Sequence, residues 1–273
     1  MKYFVILIIF ITAFGIVASI VKYTYDSFLE EDMPSSRDEK NATTSLTYSP
    51  IPSLPYSAEL KEMDTYNSTH NGREVMRRIK VNSSERNSFL NLSELGLRDL
   101  SPLSGLKHLR ALDLKGNEIV NLEKLSGLSN VVSLDLKHNH LSDIAPLAQL
   151  SRLNTLWLQR NKVENIEPFI GLSHLQILWL GNNLISNLKV FEKMKSKEKI
   201  IRLGLAYNKI SNVTSLGDLS SLQELYLTGN PIDNFRPLSN LKNLTLLDLR
   251  ETKINQEQYD FLRIQLPNCE IRK

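Results

Sequence analysis

The sequence predicts an α/β-type solenoid. Short parallel strands build a concave sheet, and 3-10 and irregular segments return along the convex side. Three observations carry this. Leucine makes up 47 of 273 residues, and 42 of those lie after residue 88. The segment Leu109-Arg-Ala-Leu112-Asp-Leu114-Lys-Gly-Asn117 recurs from Val131, Leu153, Leu175, Ile200 and Leu222, at intervals of 22 residues with a single step of 25. Each copy is followed by further spaced apolar residues, such as Ile119, Leu122, Leu125 and Leu128. L-x-L alternation sends both leucines to one side of a strand. The later apolar residues bring the chain back and close a coil. One coil cannot bury its leucines alone, so coils must stack.

The asparagine that closes each strand segment can satisfy backbone groups of its own coil and the next. Asn117, Asn139, Asn161, Asn183, Asn208 and Asn230 are therefore expected to form a structural ladder. A copy from Leu244 has Thr252 in that slot, and a shortened first copy from Leu90 has Leu95.

Other parts of the chain read differently. Tyr3–Val21 is a run of 19 uncharged residues, about 28 Å long as a helix and close to bilayer thickness. It is expected to be a hydrophobic N-terminal helix within a segment 1–25. That segment is either an uncleaved signal anchor or a signal peptide cut near Val17-Ala18-Ser19. Either way the bulk of the chain is expected outside the cytoplasm, membrane-anchored or secreted/periplasmic. Residues 26–70, with an acidic start and Pro50, Pro52 and Pro55, read as a disordered Ser/Thr/Pro linker. Residues 71–88 read as a short helical cap with Val75, Met76 and Ile79 on one face. Repeats fill 89–251 and a closing cap fills 252–273. The run Glu192–Lys199, which holds the three extra residues, reads as a solvated helix.

The residues between the leucines are the candidates for function. The fifth position of each unit reads Asp113, Asp135, Trp157, Trp179, Gly204, Tyr226 and Asp248. Both tryptophans of the protein share this slot, which is expected to be exposed on the concave face. Tyr207 stands at the eighth position of the coil between. Aromatics among charged and polar neighbours have the composition of a protein-binding hot spot. The candidate partner-binding set is Trp157, Trp179, Tyr207, Tyr226, Asp135, Lys137, His138, Arg160, Arg202 and Arg250. The competing reading is a cross-strand aromatic ladder that only stiffens the sheet. On the binding reading, replacing both tryptophans with alanine should leave thermal stability nearly unchanged.

The 22-residue pattern, with Asp143-Ile144-Ala145-Pro146-Leu147 and Ser101-Pro102-Leu103, resembles the leucine-rich repeats of the bacterial internalin family. The end, Thr252 through Leu266-Pro-Asn-Cys269-Glu-Ile271, is similar to the closing cap of such proteins. The resemblance covers roughly residues 89–271. It implies a leucine-rich-repeat horseshoe that binds a protein or peptide and carries no cofactor.

Several classes are set aside. Net charge is +3 without a basic cluster, which excludes a nucleic-acid binder. A single cysteine, Cys269, excludes an intrachain disulfide and reads as a packed cap residue. The five histidines are dispersed, and no metal site is expected. No phosphate-cradling glycine loop, His-Glu-x-x-His or Ser-centred elbow is present, so no enzyme is expected. The alternative is a repeat subunit that regulates or scaffolds a partner enzyme. Sequons stand at Asn41, Asn67, Asn82, Asn91, Asn212 and Asn243.

Overall fold

The computed structural model describes residues 70–273. The expected membrane segment, residues 3–21, and the linker therefore lie outside the described residues. Among the described residues no helix is long and apolar enough to cross a membrane.

The described chain opens with helix α1 (His70–Glu85). Val75, Ile79 and Asn82 face the first coil and are buried. Met76, expected on that face, is 38% exposed. It lies one residue past Val75, about 100° around the helix, so it cannot share the buried stripe. Asn82 closes the helix: its Nδ2 donates to the carbonyls of Asn87 (2.9 Å) and Phe89 (2.7 Å), and its Oδ1 lies 2.8 Å from His108 Nε2.

Nine three-residue strands follow: β1 (Phe89–Asn91), β2 (Ala111–Asp113), β3 (Ser133–Asp135), β4 (Thr155–Trp157), β5 (Ile177–Trp179), β6 (Arg202–Gly204), β7 (Glu224–Tyr226), β8 (Leu246–Asp248) and β9 (Glu270–Arg272). They form one sheet in chain order, every pair parallel. The fourth-position leucines align strand to strand, as in Leu134↔Leu156 and Leu156↔Leu178. Their side chains, with Phe169, Phe191 and Phe235, make one continuous core that is almost wholly buried.

Two columns of side-chain amides and carboxylates run along the coils, and the first ties neighbouring coils together. The first is the asparagine ladder. Asn161 Nδ2 donates to Leu136 O of the preceding coil (2.9 Å) and to Leu158 O of its own (3.1 Å), while its Oδ1 accepts from Leu141 N (3.0 Å). Asn117, Asn139, Asn183, Asn208 and Asn230 repeat this geometry. Thr252 ends the column by donating to Leu249 O at 2.6 Å. The second is a column of turn hydrogen bonds. Asn121, Asp143, Asn165, Asn187, Asn212 and Asn234 each accept from the backbone N–H two residues on, at 2.7–3.0 Å. Each such turn starts a 3-10 or helical segment on the side away from the sheet.

The 25-residue unit keeps the sheet in step. Leu178 still pairs with Leu203, so the extra residues are taken up on the opposite side. There the run expected to be one helix is broken. A short helix α2 (Val190–Lys193) ends at Met194, and a separate 3-10 turn covers Lys197–Lys199. Met194 and Ser196 are buried between them, which a single solvated helix could not provide.

The C-terminal cap contributes helix α3 (Gln256–Gln265) and strand β9. Asn255 and Gln258 form a reciprocal capping box, which satisfies two orphan N–H groups at the helix start.

Candidate functional site

Side chains at the third, fifth and seventh positions of each unit project from the sheet on the side opposite the core. At the fifth position the carboxylates have a local task. Asp113 and Asp135 each accept from the N–H two residues on, Lys115 N at 3.0 Å and Lys137 N at 2.9 Å. Asp135 also meets Lys137 Nζ at 3.5 Å, with both side chains nearly buried. Burial pushes the Asp135 carboxyl up to about 6; Lys137 opposes this and the neighbouring Asp113 adds to it. Burial raises Asp113 as well. Asp248 goes the other way. Burial opposes its ionisation, but hydrogen bonds from Arg250, one of them 2.6 Å, hold it below the usual range.

The aromatic residues are gathered on this face. Trp157 and Trp179 are register partners on β4 and β5. The Trp179 and Tyr226 ring centroids lie 5.0 Å apart with planes tilted by 47°. Their strands are not adjacent. Gly204 of β6 lies between them, and a Cβ built there would be 2.1 Å from Trp179 Cε3. The indole therefore lies across the glycine to reach Tyr226. Tyr207 repeats the device over Gly229, where a Cβ would be 2.5 Å from Tyr207 Cδ1. Its hydroxyl donates to Glu251 Oε1 at 3.0 Å. Burial, then Glu251, raises the Tyr207 phenol.

This packing corrects one expectation. Trp157 and Trp179 are not open to solvent but only 7% and 8% exposed, and Trp179 is received by Gly204 and Tyr226. Truncating either to alanine would leave a cavity and cost about 3–5 kcal/mol, so stability would not be unchanged. Tyr207 and Tyr226 are half-buried.

The charged candidates fall into pairs or on the rim. Arg202 Nε donates to Glu224 Oε1 at 2.9 Å, and Tyr226 Oη to Glu224 Oε2 at 3.2 Å. Arg250 grips Asp248 with Nε and Nη2. His138 and Arg160 sit at the eighth position with φ of 53° and 55°, His138 half-buried and Arg160 exposed. The candidate residues thus run from β3 to β8 along the sheet.

A groove of about 580 Å³ lies elsewhere, among Lys162, Glu164, Ile166, Lys189 and Lys193 on the loops leading away from the sheet. It contains none of the candidate residues. Cys269 is half-buried against the core, and burial pushes its thiol up to about 11, so it holds almost no thiolate at neutral pH. Among the described residues no group of three His, Cys, Asp or Glu could hold a metal ion.

The family model for leucine-rich repeats in two copies matches residues 129–171 and 151–193. An internalin, InlF, from Listeria monocytogenes is 28% identical with a TM-score of 0.62 over 68% of this chain. The chain is an internalin-like leucine-rich-repeat protein. The match spans only 53% of the InlF chain, about half its length. Internalin C2 from the same organism is also 28% identical, with a TM-score of 0.53 over 62% of this internalin-like chain and 89% of its own. The leucine-rich-repeat ectodomain of the Arabidopsis thaliana receptor kinase GASSHO1/SCHENGEN3 is 26% identical, with a TM-score of 0.50 over 59% of this chain and 21% of that one. A search of curated proteins returned no match. In all, 458 solved chains match, so the fold alone does not select a partner. Such repeats are in general interaction scaffolds.

Proposed function

We propose that this internalin-like protein is a non-enzymatic binding module whose sheet face grips a protein or peptide partner. The observation that carries the reading is the aromatic cluster: Trp157, Trp179 and Tyr226 on one face, with Tyr207 beside them. Tyr207 and Tyr226 stay half-exposed on this face, Trp179 backs Tyr226, and such held aromatics supply binding area at low entropic cost. The relatives support the reading: two are internalins, and the plant ectodomain was solved in complex with CASPARIAN STRIP INTEGRITY FACTOR 2. The repeats work outside the cytoplasm, exported or tethered through residues 3–21.

The test is a pull-down with the full chain and a variant carrying Trp179→Leu and Tyr207→Ala. Leucine keeps part of the buried volume, and circular dichroism verifies the fold. Loss of the captured partner by the folded variant supports the reading, and equal capture overturns it. N-terminal sequencing of the protein from the membrane pellet addresses the tether. A start at Met1 supports an anchor; a start near Ser19 in the soluble fraction supports a cleaved signal.

A further inference from the structure

Among the described residues, two buried side-chain atoms lack a hydrogen-bond partner: Ser196 Oγ and Gln159 Oε1. Ser196 lies in the enlarged coil, away from the sheet face. Gln159 lies on the sheet face, two residues past Trp157, and is 4% exposed. Its side chain leans toward the next coil, with Cγ 3.8 Å from the place a Cβ would occupy at Gly181. A buried carbonyl oxygen without a donor destabilises the fold. Methionine or leucine would fill the same space without that cost. The hydrogen bonding of the fold therefore gives no use for this oxygen.

The surroundings say what kind of donor it suits. Asp135 is held by Lys137, Glu224 by Arg202 and Asp248 by Arg250. These three pairs match six charges of the face within the protein, which favours an uncharged ligand beside them. What remains unmet beside the two tryptophans is one neutral acceptor.

We propose that Gln159 Oε1 receives a hydrogen bond from the partner, from a main-chain N–H of an uncharged, extended polypeptide segment lying across Trp157 and Trp179. This rests on the sheet-face reading above and adds its specificity. The oxygen is covered in the free protein, so its cover shifts as the partner engages.

The test uses the full chain and a displayed library of random dodecapeptides as the probe. Peptides selected by the native protein should be poor in charge, and their affinity should change little between low and high salt. Gln159→Met should weaken them about tenfold or more and should raise Tm by roughly 2 °C or more. Gln159→Leu serves if the methionine variant does not fold. An unchanged or lower Tm would mean the amide serves the fold. That result, unchanged affinity, charged consensus peptides or a library without binders each overturns the proposal. If binding falls with Trp179→Leu and Tyr207→Ala but not with Gln159→Met, the sheet-face reading stands and this proposal fails. If neither variant matters, both fail.

Discussion

The indole of Trp179 lies over the backbone of Gly204, where a methyl group would sit 2.1 Å from Cε3. Gly204→Ala must therefore displace the ring, because the backbone cannot. Overpacking of this kind costs typically 1–3 kcal/mol. We expect a lower Tm together with red-shifted, more quenchable tryptophan emission, since both tryptophans are nearly buried in the native protein. Native-like fluorescence in the variant would show that the ring does not rest on Gly204.

The asparagine ladder makes a different prediction. Removing the Asn161 side chain leaves Leu136 O and Leu158 O without its donor and Leu141 N without its acceptor. Asn161→Ala should cost about 3–5 kcal/mol, since buried groups left unpaired cost about 1–3 kcal/mol each. Urea melts measure it. Asn165→Ala removes one exposed turn hydrogen bond and should cost about 1 kcal/mol or less. Similar losses at both positions would contradict the ladder's role in joining coils.

Acidification should first stabilise the protein. Asp135 has a folded-state value of about 6, above the ordinary 3.8. The folded state then binds more protons than the unfolded chain between those values, so stability rises as pH falls from about 7 to 4.5. The gain is roughly 1–3 kcal/mol. Asp113 adds in the same direction. Glu74 acts oppositely: side-chain hydrogen bonds from Arg77 and Arg78 lower it to about 2, so its contribution fades only below about pH 4.5. In Asp135→Asn the rise between pH 7 and 4.5 should largely vanish, read as Tm against pH. A persistent rise in that variant would assign it to other groups.

The eighth position of the repeat carries a conformational constraint. Asn182 is exposed, yet its φ is 55°. Asparagine tolerates the left-handed region, whereas a β-branched residue does not. Asn182→Val should cost about 1–2 kcal/mol and Asn182→Gly almost nothing, measured by thermal denaturation. Equal effects of the two would show that backbone geometry is not what the position selects.

Much of the fold was legible because its spacing is regular. The L-x-L segments fall on strands, and the asparagines that end them bond across coils. The second column, Asn121 to Asn234, was equally periodic. It is hard to see in the sequence because asparagine and aspartate share it and because its hydrogen bonds are local. Strand β9 could not be read, since Glu270-Ile271-Arg272 is too short to show alternation. The site was half legible. The common slot of Trp157 and Trp179 is visible in the sequence. The low exposure of Trp179 is not, because it depends on a glycine 25 residues later lying directly beneath its ring. The isolation of Gln159 Oε1 is likewise a property of packing and left no trace in the pattern.

The enlarged coil has a consequence for how such a protein can diversify. Three additional residues enter between β5 and β6, yet Leu178 and Leu203 remain aligned and the fifth-position row keeps its order. Length changes on the outer side are thus insulated from the rows on the sheet face. One surface can be rewritten by substitution and the other by insertion, each without disturbing what the other has acquired.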